Sequence, residues 1–384
     1  MRALLLVLDG MGCGAAPDAH AYGDDGANTL GRIFSLVPTL DLPTLFSLGL
    51  RRILTGRNSP GRRNHQLASH GRMQPLSPGK NSITGHWEMA GVILKQPFAT
   101  FSRLPRPFLA ELESETGTRF LGNQSLASAR VLKKLGEAHL RTGRPILSIL
   151  PDSAIQIAAH EQVLPRHSLD QLCRETRRLA NRWRVARVVA RPLTGPPDAL
   201  RPSKDTHDFG MVPPPTVLNA LADAGHMVES VGKIHALFSG SGITHSHPSS
   251  SNAEAMNLIE RLWTRNEDCL IFANLSEFDS PQTHLRDPAR CAAVLREFDA
   301  WLGDFLRRVE VDDLLILTAD HGNDPGFPGS NHTREEVPLI VLHDGAPSPL
   351  GTRTTFADVA RTLAEFFQLE SGWHCGTSFL PRPS

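Results

Sequence analysis

The chain is 384 residues long, 40% hydrophobic and formally neutral, with 40 Lys and Arg against 40 Asp and Glu. That length exceeds the size at which one hydrophobic core stops growing, so two domains are expected. The charge balance argues against nucleic acid as the main partner, because phosphate backbones are held mostly by a net basic surface.

The N-terminus, MRALLLVLDGMG, carries an apolar run that stops at Asp9. The run is too short for a membrane span and lacks a small-residue cleavage site, so it reads as a buried strand. The cysteines (Cys13, Cys173, Cys269, Cys291, Cys375) show no CxxC spacing, which suggests neither a disulfide framework nor a thiolate zinc site and fits a reducing cytoplasm.

Residues 78 to 91, PGKNSITGHWEMAG, set Ser82 in a polar turn that runs into a helix-compatible stretch. Serine is a preferred helix N-cap, and on this stretch alone the cap is the commoner reading; a nucleophile is the alternative. Gly79, Lys80 and Asn81 offer backbone, ammonium and amide donors for phosphate oxygens, and the helix N-terminus adds further amides. His86 and Trp87 are as well suited to packing beneath this turn as to touching a ligand.

From about 95 to 213 the texture changes. Helical patterns (RPFLAELESE, ARVLKKLGEAHL, LDQLCRETRRLANRW) alternate with strands (PILSIL, ARVVARPL), arginine is frequent, and the segment ends in the Pro-rich MVPPPTV. This predicts a smaller α/β domain inserted into a core made of 1–94 and 214–384. The core resumes with a helix over 251–263, whose Ser251 and Glu254 have capping-box spacing. A strand in CLIFANLSEFD (269–279), a helix over 287–309, a strand in LLILTAD (314–320) and a closing helix over 356–369 follow. The fold class is α/β, a mainly parallel sheet flanked by helices.

Three apolar runs end in an acid: Asp9, Asp279 and Asp320. Ligands of open α/β sheets bind outside the carboxyl ends of the strands, where such residues converge, although a single Asp there is usually a turn former. His284, His321 and His332 lie close by in sequence. Carboxylates and imidazoles together suit borderline divalent ions such as Mn²⁺ or Zn²⁺, and the six side chains suffice for two metals. A two-metal site polarises a phosphoryl group and lowers the pKa of a bound hydroxyl, which gives Ser82 a chemical role beyond capping.

The motifs LLVLDGMGCGAAPDA (6–19), GKNSITGHWE (79–88), DSAIQIAAHE (152–161), VGKIHALFSGSGIT (231–244), EFDSPQTH (277–284), TADHGNDPGFPGSNHTREEVPL (318–339) and HCGTSFL (374–380) closely resemble phosphopentomutase. That family belongs to the alkaline phosphatase superfamily with cofactor-independent phosphoglycerate mutase. The resemblance implies an alkaline-phosphatase-like core with an inserted cap domain and two manganese ions, one on Asp9, Asp320, His321 and Ser82, the other on Asp279, His284 and His332. It implies a phosphoryl group carried on Ser82, with serine in place of the family's usual threonine. It further implies a small sugar phosphate, ribose or 2-deoxyribose 1- or 5-phosphate, contacted by Asp152, Arg187, Arg191 and Lys233, with a sugar bisphosphate as activator. Arg187 and Arg191 read equally as a solvated strand edge or an internal ion pair, and Asp152 equally as a turn residue.

The chain departs from the family pattern at Asn81 (usually Asp), Glu277 (usually Asp), Gln282 and Thr283 (usually Tyr-Gly), and at Thr206 and Phe209, where a cap Arg and Tyr are usual. None of these removes an expected metal ligand or the nucleophile. They leave open a phosphomutase for another small phosphate ester, a phosphohydrolase, and a metal-binding interaction protein without catalysis.

Overall fold

The computed structural model describes residues 1–55, 68–124, 128–150, 153–196, 199–203, 205–265, 268–279, 287–329, 331–344, 347–369, 373 and 375–380. Asp152 and His284 lie outside the described residues. The chain forms two compact units, Met1–Gln96 with Pro213–Ser384, and Pro97–Val212.

Among the described residues of the first unit, eight strands form one sheet. Their order is His245–His247, Met227–Val231, Cys269–Leu275, Arg2–Leu8, Leu314–Thr318, Val337–Leu342, Ser69–Met73 and Pro349–Arg353. All run parallel except Val337–Leu342, which is antiparallel to both of its neighbours. Cys269–Leu275 and Leu314–Thr318 are buried along their whole length, the pattern of strands covered on both faces. The mainly parallel α/β core read from the sequence is therefore the architecture found.

Register explains how distant acids meet. Arg2–Leu8 lies between Cys269–Leu275 and Leu314–Thr318, with Leu8 beside Leu275 and Val7 beside Thr318. Asp9, the turn Ser276–Asp279 and Asp320 therefore leave the sheet together at the carboxyl ends of these strands. The next parallel strand, Met227–Val231, delivers Lys233 to the same end.

Among the described residues of the second unit, six strands form a sheet centred on the parallel pair Ala154–His160 and Arg187–Thr194. One face packs Leu147, Ile149, Ile155, Ile157, Val188 and Ala190 against Phe108 and Leu112 of the helix Arg106–Thr116 and Leu169, Cys173 and Leu179 of the helix Arg166–Arg182. Phe209 packs on this cluster, so its aromatic ring serves the core of the unit. Arg187 forms an ion pair with Asp208 at 2.7 Å, and Arg191 donates through Nε to Gln156 Oε1 at 3.2 Å. Of the alternatives for Arg187, the internal ion pair is the one present.

Candidate metal centre and nucleophile

The helix carrying Ser82 spans Ser82–Met89, and its N-cap is Asn81, whose side chain accepts from the Thr84 amide. The expectation that Ser82 itself caps is thus corrected. Asn81 precedes the first helical residue and takes the capping position, so the Ser82 hydroxyl is released from backbone duty. The helix also approaches the sheet closely. A Cβ on Gly85 would come within 2.3 Å of the Asp320 carbonyl oxygen, so only glycine allows Ser82 and Asp320 to be this near neighbours.

Ser82 Oγ accepts a hydrogen bond from Lys233 Nζ at 2.7 Å and lies 3.2 Å from His321 Nε2. Lys233 also pairs with Asp9 Oδ2. His321 Nε2 stands 3.6 Å from Asp9 Oδ1 and 3.4 Å from Asp320 Oδ2. Donor atoms of Asp9, Asp320 and His321 lie within 4.8 Å of one another, as do those of Asp279, His321 and His332. The structure thus brings together Ser82, Lys233 and all the expected metal ligands that it describes, with His321 between the two groups.

The imidazoles are held ready to bind through Nε2. His321 Nδ1 is 3.1 Å from the Gly322 carbonyl and His332 Nδ1 is 3.1 Å from the Lys80 carbonyl. A carbonyl can only accept, so each ring carries its proton on Nδ1 when neutral and turns the lone pair of Nε2 inward. The two rings stack at 3.9 Å.

The carboxylates fit a divalent cation. Asp9 and Asp320 are 0% and 3% exposed, and Asp9 Oδ1 and Asp320 Oδ2 accept no hydrogen bond. Buried anionic oxygens without partners are costly unless a cation supplies the missing interaction. Burial, reinforced by the neighbouring charge of Asp320, pushes the Asp9 carboxyl well above its usual range, against the pull of Lys233. Burial also works against ionisation of Asp320, but His321, His86 and Lys233 outweigh it and hold that carboxyl well below its usual range. For Asp279 burial is outweighed by His332, His321 and Lys233, giving a pKa of about 2. Burial lowers His321 to about 4, so its imidazole is neutral at pH 7 and available as a ligand.

Several polar groups hold this arrangement; Asn323, Asn274 and Arg334 had no assigned place in the sequence reading, whereas His86 and Trp87 take the packing place expected for them. Asn323 Nδ2 donates to Asp279 Oδ1 at 2.9 Å. His86 is 0% exposed; its Nδ1 lies 2.8 Å from the Ser82 carbonyl and 3.3 Å from Asp320 Oδ2, while its Nε2 lies 3.3 Å from Asn274 Nδ2. The Asn274 amide donor fixes the lone pair on Nε2 and hence the proton on Nδ1. Trp87 packs beneath the turn and donates to the Leu237 carbonyl. Arg334 donates to the carbonyls of Pro75, Ser77 and Gly79 and to Asp18, and Glu88 accepts from the amides of Leu76 and Ser77. The turn before Ser82 is thereby fixed from both sides.

Two of the expected phosphate donors of the turn are engaged elsewhere: Lys80 gives its ammonium to Asp24 at 2.6 Å and the Gly79 amide donates to Tyr22 Oη. The cation beside the Ser82 hydroxyl is Lys233. The signal that was available for Arg334 is its place two residues after His332.

Comparison with known proteins agrees with this geometry. The metalloenzyme superfamily model matches residues 1–371. A phosphopentomutase of Anaeromyxobacter dehalogenans (strain 2CP-C) is 44% identical over 383 residues, covering 99% of this chain and 97% of that one. Phosphopentomutases of Dictyoglomus turgidum and Syntrophotalea carbinolica are each 42% identical, again over 99% of this chain and over 97% and 98% of theirs.

Proposed function

The chain belongs to the metalloenzyme superfamily and, within it, to the phosphopentomutase family; it is a phosphomutase, and we propose that it interconverts the 1- and 5-phosphates of ribose or 2-deoxyribose by way of phospho-Ser82. The observation that carries this reading is the hydroxyl of Ser82 held by Lys233 at 2.7 Å next to the Asp9, Asp320 and His321 donors. A purely metal-binding protein has no use for an alcohol at that point.

Asp9, Asp320, His321 and Ser82 would hold one divalent ion, and Asp279 and His332 with His284 the other, with manganese the ion that the family likeness suggests. When bound, the ions neutralise phosphoryl oxygens and lower the pKa of the serine hydroxyl. Phosphoryl transfer needs positioning and charge neutralisation more than covalent help, and that is what the protein groups offer.

In the forward direction the C1 hydroxyl of a 5-phosphate attacks phospho-Ser82. The bond from phosphorus to Ser82 Oγ breaks, a bond to the sugar oxygen forms, and the hydroxyl proton ends on Ser82 Oγ. The resulting 1,5-bisphosphate returns its 5-phosphate to Ser82 and leaves as the 1-phosphate. Lys233 places its positive charge on the serine oxygen, which bears negative charge as the phosphorus bond breaks. Asp152, Arg187 and Arg191 are proposed as sugar-phosphate contacts on the family likeness, with residues 95–213 as the cap and a sugar bisphosphate as the activator that first phosphorylates Ser82.

The test is incubation of the protein with Mn²⁺, a ribose 1,5-bisphosphate primer and ribose 5-phosphate. Ribose 1-phosphate as product supports the proposal. Release of free phosphate identifies a phosphohydrolase instead, and absence of both products overturns the enzymatic reading of this substrate.

A further inference from the structure

The geometry points to a third cation site, apart from the two of the Ser82 centre, at the edge strand of the core sheet, formed by His245, His247 and Glu229 and suited to a borderline transition ion such as Zn²⁺ or Ni²⁺. The site shares no residue with the Ser82 centre and does not depend on the phosphomutase reading.

Parallel pairing of the edge strand sets His245 directly opposite Glu229. Alternate residues of a strand share a face, so His247 follows His245 on the side from which Glu229 projects. Both rings reach the same carboxylate: His247 Nε2 is 2.7 Å from Oε2 and His245 Nδ1 is 3.4 Å from Oε1. The Glu229 side chain is 5% exposed, against 27% for His247 and 55% for His245. The carboxylate is thus the floor of a small recess whose mouth is lined by two imidazoles. His245–His247 is the last strand of the sheet, so coordination positions not filled by protein open towards solvent.

Two imidazoles and a carboxylate are the donor set of open zinc sites, in which water completes the coordination, and imidazole nitrogen favours zinc, nickel or copper over magnesium or calcium. Without an ion, His247 Nε2 makes the hydrogen bond to the carboxylate. Binding requires each imidazole to present a ring nitrogen that carries no proton. The three donors are not gathered within 4.8 Å of one another as those of the Ser82 centre are, so binding also requires them to draw together, by a turn of the more exposed His245 ring. An ion held there cross-links the edge strand to its neighbour.

The test is the number of zinc ions retained per chain after equilibrium dialysis against low-micromolar Zn²⁺, for the wild type and for the double variant His245→Gln/His247→Gln. Glutamine keeps an N–H donor for Glu229 but has no imidazole lone pair, so the fold, read by circular dichroism, and the phosphotransfer activity are unaffected. The site predicts one ion fewer per chain in the variant. An equal count in the two proteins overturns it, whatever the Ser82 centre proves to do.

Discussion

Lys233 Nζ touches both Ser82 Oγ and a carboxylate oxygen of Asp9, so a single ammonium joins the proposed nucleophile to an expected metal ligand. Burial opposes its charge, but Asp9, Asp320 and Asp279 together outweigh that and raise its pKa. It stays protonated throughout the physiological range. Lys233→Met should therefore lower kcat by roughly 10²-fold, the scale seen on removing one donor to a developing oxyanion. Because a positive charge leaves the site, Mn²⁺ should bind this variant more tightly than wild type, as read by calorimetry. Weaker Mn²⁺ binding would show that Lys233 supports the ligands rather than competing for them.

Metal loading should strengthen as pH rises. Ligand atoms must be deprotonated to bind, and burial together with the charge of Asp320 pushes the Asp9 carboxyl well above its usual range. His321, at about 4, has none to lose, whereas burial lowers His332 but its contact with Asp279 outweighs that and raises it. The apparent affinity should fall roughly tenfold per pH unit for each proton displaced, from Asp9 at one ion and from His332 at the other. Calorimetry in buffers of different ionisation enthalpy counts the released protons. Asp320→Asn should impair loading at every pH, and full occupancy in that variant would contradict the ligand scheme.

Asn81 caps the nucleophile helix, so its replacement should act on stability and rate together. Asn81→Ala should cost about 1 kcal/mol of stability, the usual effect of losing such a cap, and lower kcat with little change in KM. Asn81→Asp keeps the cap and should retain stability. Chemical denaturation together with steady-state rates checks both, and an unaltered stability in the alanine variant would show that the bond to Thr84 contributes nothing.

His86 bridges the Ser82 carbonyl and Asp320, and Asn274 sets its tautomer. Removing partners that orient ligands typically costs roughly 10–100-fold in metal affinity or activity. Asn274→Leu should show this loss in Mn²⁺ affinity while the protein remains folded, whereas Asn274→Asp, which puts a carboxylate oxygen where the amide nitrogen stood, should favour the protonated ring. Unchanged affinity in the leucine variant would confine His86 to packing.

The parts of this centre that were legible in the sequence are those that strand geometry dictates. ALLLVLD, CLIFANLSEFD and LLILTAD read as strands because burial on both faces leaves unbroken apolar runs, and the acids after them converge because these strands are adjacent and parallel. Ser69–Met73, SHGRM, gave no such signal, since its polar residues conceal a strand paired with Val337–Leu342. The partners of polar side chains were illegible for a different reason. Whether Lys80 turns to a phosphate or to Asp24, and whether Asn81 or Ser82 caps the helix, is settled by distances of a few ångströms between segments far apart in the chain. Sequence pattern does not encode those distances. His86 and Arg334 show the same limit, for their value lies in joining backbone carbonyls to site residues.

The most direct measurement is the phosphorylation state of one residue. After incubation with Mn²⁺ and isotopically labelled ribose 1,5-bisphosphate, mass analysis of proteolytic fragments should find a single labelled phosphate, on Ser82, whose label is replaced by unlabelled phosphate on adding excess ribose 5-phosphate; Ser82→Ala should carry none, lose turnover and keep its metal. Phosphate on another residue, or normal turnover by Ser82→Ala, would contradict the account.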